Sequence, residues 1–124
     1  MVSKSELINY LNKRKVNDND YLKFILNYNP DNYKFTLCTV NGFDFVVSHF
    51  LDWSKEKGYG IIATNEILKT DSGQKMAIGL IEGDDVICLD IKSGQITIWM
   101  IQTGEGEHII AAESFVSFLR KCCE

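Results

Sequence analysis

Three short apolar runs in the second half of the sequence restrict the fold more than any other feature. They are Met76–Ile81, Val86–Ile91 and Gln95–Ile101, and only residues 82–85 and 92–94 separate one run from the next. Parallel strands need a long crossover connection, whereas antiparallel strands can be joined by a tight turn. The spacing therefore predicts an antiparallel meander.

The first half adds a predicted hairpin. Asn41-Gly42 is a strong signal for a tight hairpin turn, because both residues tolerate the positive φ angles that the turn requires. A β pattern runs from Lys34 to Val40 before it, and residues 43–48 alternate in polarity after it. We expect two paired strands around Asn41-Gly42.

Helical spacing of apolar residues occurs at both ends of the chain. Ser3 and Glu6 form a capping box ahead of a first stripe. The polar run Asn17–Asp20 follows and can cap a second helix, which Asn29-Pro30 stops because proline cannot continue a helix. A third stripe covers residues 112–119. These patterns predict two helices before the sheet and one after it.

Together the elements predict an α+β fold, with a central antiparallel sheet flanked by N-terminal and C-terminal helices in a single domain over residues 1–124. The content of hydrophobic residues, 45%, is enough to fill one core. His108–Ile110 predicts a further short strand. Residues 61–68 are apolar, but their pattern leaves helix and strand both open.

Charge and composition exclude several classes of partner. The net charge is −4 and the cations are scattered, apart from the run Lys13–Lys15, so the basic surface of a nucleic-acid binder is missing. We interpret that run as the end of the first helix, where cations oppose the negative end of the helix dipole. No apolar stretch resembles a membrane span or a secretory signal. These features predict a cytoplasmic protein that binds neither nucleic acid nor membrane.

The sequence offers little for catalysis or for metal binding. The four cysteines are interpreted as thiols, and no zinc-binding spacing is present. His49 and His108 are general-base candidates, but no second catalytic element accompanies either, which favours a structural or surface role. The acidic turn 82–85 with Asp90 lacks the alternating ligands of a calcium loop. We therefore expect no enzyme activity, no cofactor and no metal.

Acidic turns and one tryptophan are the candidate partner-binding residues. If the partner is basic, a nuclease for example, opposite charges speed the encounter and disfavour wrong partners. The alternative is a solvated rim of loops that serves solubility alone. Trp53 is the candidate aromatic anchor, whereas Trp99 is equally compatible with the core. The predicted partner-binding residues are Trp53, Glu82, Asp84, Asp85, Glu105 and Glu107.

Three segments, in this order, resemble the SUKH superfamily of bacterial toxin-immunity proteins and fungal cell-wall synthesis regulators. Asp20–Asn29 is similar to an early helix that ends in Tyr-Asn, and Ala77–Asp90 to a central hairpin with Gly-Asp before a strand ending in Leu-Asp. Ile110–Leu119 is similar to a closing strand and an Ala-x-x-Phe helix. The chain departs from the family at Val16-Asn17, where Leu-Pro is usual, and at Pro30-Asp31, where a double glycine is usual.

The resemblance implies a compact sheet with flanking helices, no catalytic apparatus and, in bacteria, neutralisation of a protein toxin by tight binding. We therefore expect an immunity protein for a polymorphic or contact-dependent toxin, acting as a monomer or a weak homodimer. The alternative is an intracellular regulatory or scaffold protein of the same fold that binds a host protein. A small enzyme using His49 or His108 ranks third.

Overall fold

The strands form one sheet in the order in which they occur in the chain. The computed structural model describes residues 4–28, 36–40, 43–52, 60–70, 72–102 and 104–122. Within these ranges the sheet has six strands, β1 (Thr36–Val40), β2 (Phe43–Phe50), β3 (Lys75–Ile81), β4 (Val86–Asp90), β5 (Ile96–Trp99) and β6 (His108–Ala112). Every neighbouring pair is antiparallel. The predicted meander is confirmed and extends across the whole sheet.

The first hairpin and the strand near His108 are also present as predicted. Val40 lies opposite Phe43 in the pair formed by β1 and β2. The expected turn residues, Asn41-Gly42, lie outside the described residues. β6 begins at His108 and pairs with β5.

Four helices in the described ranges complete the fold: α1 (Lys4–Lys13), α2 (Asn19–Leu26), α3 (Ile61–Ile67) and α4 (Phe115–Cys122). With the sheet they make an α+β fold, which confirms the predicted fold class. The segment left open between helix and strand is the helix α3. The Asp18 carboxylate accepts a hydrogen bond from the Tyr21 N–H at 3.1 Å and caps α2. Ser3 of the predicted capping box lies outside the described residues.

α1 and α3 end in the same way. The N–H of Val16 donates to the carbonyl of Leu11 at 2.9 Å, which closes α1 with a Schellman motif. This motif needs a residue with positive φ, usually glycine, but here Lys15 has φ 60°, and Lys69 has the same angle at the end of α3. The left-handed conformation costs a lysine about 1 kcal/mol, and the attraction between its charge and the helix dipole offsets part of that cost. The predicted helix end at the basic run is confirmed.

An aromatic cluster joins the helices to the sheet. Phe115 and Phe118 of α4 are fully buried. The Phe115 ring lies 5.1 Å from the rings of both Tyr21 and Phe24, and the Phe118 ring lies 6.4 Å from that of Phe50 on β2. α4 contacts β1 and β6, the two edge strands. The last helix therefore covers the core and contacts both outer strands of the sheet.

The Asn65 side chain attaches α3 to the sheet by hydrogen bonds. The Asn65 side chain is fully buried, and its Oδ1 accepts a hydrogen bond from the Ala77 N–H at 2.9 Å. Its Nδ2 donates to the carbonyls of Ala77 at 3.0 Å and of Ile61 at 2.7 Å. The amide therefore pairs with the backbone of β3 as a neighbouring strand would, and it satisfies polar groups that would be costly to bury unpaired.

Candidate functional site

The acidic turns predicted as a partner surface lie at one end of the sheet. Val86, which starts β4, pairs with Trp99, which ends β5. The turn that joins β3 to β4 is therefore the neighbour of the loop that joins β5 to β6. Four exposed acidic residues in these two connections, called the acidic end below, are Glu82, Asp84, Glu105 and Glu107.

Asp85 belongs to the interior and not to this surface. It was predicted to be an exposed partner-binding residue, but its side chain is only 1% exposed. Its Oδ1 accepts a hydrogen bond from the backbone N–H of Gln102 at 2.7 Å. Hydrogen bonds to a charged acceptor are stronger than neutral ones. Asp85 therefore fixes the two acidic connections to each other, and the partner surface loses one predicted member.

The turn after β3 is tight and holds its exposed residues in place. The Asp84 N–H donates to the carbonyl of Ile81 at 3.0 Å, and the Ile81 N–H donates to the carbonyl of Asp85 at the same distance. Gly83 has φ 98°, a conformation that glycine adopts without cost, and Asp84 has φ 69°. Glu82 and Asp84 therefore stand on a short connection that is hydrogen-bonded at its base.

The longer loop after β5 folds back on itself. The Met100 carbonyl accepts hydrogen bonds from the N–H groups of Gly104 at 3.2 Å and Gly106 at 3.0 Å. The Glu107 carboxylate accepts from the Glu105 N–H at 2.6 Å. Glu107 therefore contributes its charge to the acidic end and also holds the loop together.

An aromatic strip, formed by Trp99, His108 and Ile110, borders the acidic end. The Trp99 and His108 rings are stacked, with their centres 5.5 Å apart and their planes at 7°, and the Trp99 Nε1 donates to the Gly106 carbonyl at 3.0 Å. Trp99 is half-buried and Ile110 is 49% exposed. Sequence reasoning left Trp99 open between core and surface and did not select Ile110. Strand alternation places His108 and Ile110 on one face, but exposure cannot be read from that pattern alone.

The two histidines lie in separate parts of the sheet. His49 is on β2 and His108 is on β6, with three strands between them in the sheet order. The His49 Nδ1 lies 2.9 Å from the Ser48 hydroxyl, and the His108 Nδ1 lies 2.9 Å from the Thr97 hydroxyl. Burial lowers the pKa of both imidazoles, although nearby carboxylates partly oppose this at His49. Both rings are therefore mostly neutral at pH 7.

Trp53, the predicted aromatic anchor, lies outside the described residues. Cys88 and Cys122 are buried thiols, and burial raises the pKa of Cys88 to about 12. In the part of the chain that the structure describes, no group of three histidine, cysteine or acidic side chains is arranged to hold a metal ion. None of the helices in those same ranges combines the length and the apolar character needed to cross a membrane.

Comparison with protein-family models, with curated proteins and with solved structures finds no match to this chain. The three segments quoted above correspond to α2, to the hairpin of β3 and β4, and to β6 followed by α4.

Proposed function

We propose that this chain is a non-catalytic, cytoplasmic protein-binding module, an immunity protein that neutralises a cognate bacterial toxin by direct binding. The observation that carries the proposal is the acidic end, where four exposed carboxylates stand on two connections held together by Asp85. The resemblance to the SUKH superfamily supports the choice of an immunity protein from among other binding modules.

The charge of the acidic end favours a basic toxin. A nuclease toxin needs a cationic surface to hold the phosphates of its substrate. Carboxylates directed at that surface would compete with the substrate and speed the encounter. Because rim charges mainly affect the rate and specificity of association, most of the binding energy must come from burial of apolar surface.

The aromatic strip offers apolar surface beside the carboxylates. Trp99 is held by its stacking on His108 and by its hydrogen bond to Gly106. A side chain that is already fixed loses little conformational entropy on binding. Trp99 and the exposed Ile110 are therefore suited to the centre of the interface, with the acidic end at its rim.

The test is protection of cells that express the toxin encoded beside this chain. Cells should survive with the unaltered chain and with the control Glu6→Gln/Asp20→Asn, which removes two exposed charges elsewhere. Glu82→Gln/Glu105→Gln should weaken toxin binding about tenfold, mainly through slower association.

Failure of the unaltered chain to protect would contradict the proposal. Recovery of a host regulatory protein in place of a toxin, when the tagged chain is used for capture, would favour the alternative of a scaffold or regulatory module.

A further inference from the structure

A cluster of cations lies at the opposite end of β3 and β4 from the acidic end. Gly73 and Gln74 directly precede β3, and Lys92 lies two residues after the end of β4. The last turn of α1 and its Schellman motif lie against them. We call this site the basic trough, and its four cations are Lys13, Arg14, Lys15 and Lys92.

The basic trough consists of two adjoining cavities. One has a volume of about 420 Å³ and lies between α1 and α3, and the other has about 490 Å³ and lies between α1 and the turn after β4. Arg14, Lys15 and Gly73 line both cavities. Since the two cavities share these three residues, they lie side by side, and one extended ligand that lies across Arg14 can reach both.

Arg14, one of the three shared residues, is held in place. Its Nη1 donates to the Tyr10 hydroxyl at 2.9 Å, and its guanidinium lies 5.8 Å from the centre of the Tyr10 ring. Arg14 is partly exposed, whereas Lys13 and Lys15 on either side are exposed. A fixed guanidinium loses less entropy on binding a carboxylate than a mobile one does.

The helix end alone does not explain this collection of charge. Cations at the C-terminus of α1 are expected from the helix dipole, but Lys92 belongs to a turn far away in the sequence. Three carboxylates are near: Glu66 lines one cavity, Asp90 accepts hydrogen bonds from the N–H groups of Lys92 and Ser93, and Asp18 faces Gly94 in the same turn. Four cations against three carboxylates still leave the basic trough positive in a chain of net charge −4.

We propose that the basic trough binds an extended acidic segment of a partner protein, with carboxylates on the cations and an apolar side chain between them. Tyr10, Ile62 and Ile91 supply apolar lining in the two cavities. A single small anion would meet the cations but would leave that lining and most of the volume unused. This surface is separate from the acidic end and selects a ligand of opposite charge, so the inference does not depend on the proposed function.

The test measures binding of a fluorescein-labelled oligoglutamate peptide with one central leucine, by fluorescence anisotropy. Lys13→Glu/Lys92→Glu should weaken binding at least about tenfold, because it reverses two charges at the rim of the trough. The matched control, Lys4→Glu/Lys23→Glu, makes the same change of charge on exposed residues elsewhere and should weaken binding about twofold at most, through the long-range field alone. The milder Lys92→Ala should weaken binding about threefold, even if the double reversal disturbs folding.

Other outcomes would overturn the proposal. Equal losses of peptide affinity in the trough variant and the control would show that only net charge matters. Failure of the peptide to bind the unaltered chain would show that the trough is not a binding site for acidic segments. If inorganic phosphate displaced the peptide at equal concentration, the trough would be a simple anion site. If sedimentation showed self-association that Lys13→Glu/Lys92→Glu abolished, the occupant would be the acidic end of a second copy.

Discussion

The acidic end and the basic trough lie at opposite ends of the same two strands and are held by different interactions. At the acidic end, a buried carboxylate, Asp85, joins two connections of the meander. At the trough, a helix end, a turn and the Arg14 side chain meet, and the neighbouring helix is attached to the sheet through Asn65. At both ends, buried side chains such as Asp85 and Asn65 position the exposed charges, while the exposed charges themselves contribute little to stability.

The largest expected effect comes from Asn65. Asn65→Ala removes the amide that pairs with the Ala77 backbone and leaves buried polar groups unsatisfied, so the free energy of unfolding should fall by about 3 kcal/mol. Urea denaturation measures this change. Amide chemical shifts should change more around the basic trough than at the acidic end.

The neighbouring exposed residue provides the control for Asn65. Glu66→Ala should change stability by less than about 0.5 kcal/mol. A loss below about 1 kcal/mol in Asn65→Ala would mean that α3 is held mainly by apolar packing and not by this amide.

The second effect concerns the acidic end. Asp85→Ala removes the acceptor of the Gln102 N–H and should cost about 2 kcal/mol. Asp85→Asn keeps an oxygen acceptor at this position and should retain more of that stability. Denaturation followed by tryptophan fluorescence measures both variants, and equal losses in the two would show that the charge matters and not the hydrogen bond.

A smaller effect is expected at Lys15 in the basic trough, where one substitution should change stability and peptide binding in opposite directions. Lys15→Gly should stabilise the chain by about 0.5 to 1 kcal/mol, because glycine adopts a φ of 60° without strain. The same substitution should weaken binding of the acidic peptide.

Lys69→Gly is the matched control, because Lys69 has the same φ at the end of α3 and does not line either cavity. It should give a similar gain in stability with unchanged peptide binding. A loss of binding as large as that of Lys15→Gly would contradict the assignment of the trough.

The smallest effect is a difference in pH dependence between the two ends. Burial, together with Lys75, lowers the folded-state pKa of His108. Its contribution to stability is therefore fully present above its unfolded pKa of about 6.5 and is lost as the pH falls toward the lowered value.

At Asp90, burial raises the pKa, but hydrogen bonds from Ser93, Gln74 and Lys92 outweigh it and lower the pKa overall. The contribution of Asp90 to stability is therefore lost only below about pH 4.

Melting temperatures measured from about pH 7 to pH 5 check this difference. His108→Gln should make the fall in melting temperature over that range less steep. His49 accounts for a further part of the fall, because burial lowers its pKa too. Asp90→Asn should leave the slope in this range unchanged. A decline that His108→Gln does not alter would contradict the assignment.

The sheet was predictable from the sequence because its signals are local. Short connections between apolar runs permit only antiparallel pairing, and residues 82–85 and 92–94 both meet that condition. The helix α3 was not predictable, because a short apolar segment fits the periodicity of a helix and that of a strand equally well. Its attachment through Asn65 depends on a contact across twelve residues of sequence.

The candidate sites were predictable only in part. The acidic residues of the connections were correctly placed in turns, but turn chemistry gave no reason to expect Asp85 inside the protein. Lys13–Lys15 was correctly interpreted as the end of a helix. Its proximity to Lys92 follows from tertiary packing, and local sequence patterns do not reveal which distant segments pack together.

Hydrogen exchange of the chain with and without its cognate toxin would show which surface the toxin covers. We expect slower exchange in the turn between β3 and β4 and from Trp99 to Ile110, with exchange around the basic trough unchanged. Slower exchange at other surfaces, with these two segments unchanged in the complex, would contradict the assignment of the acidic end as the partner surface.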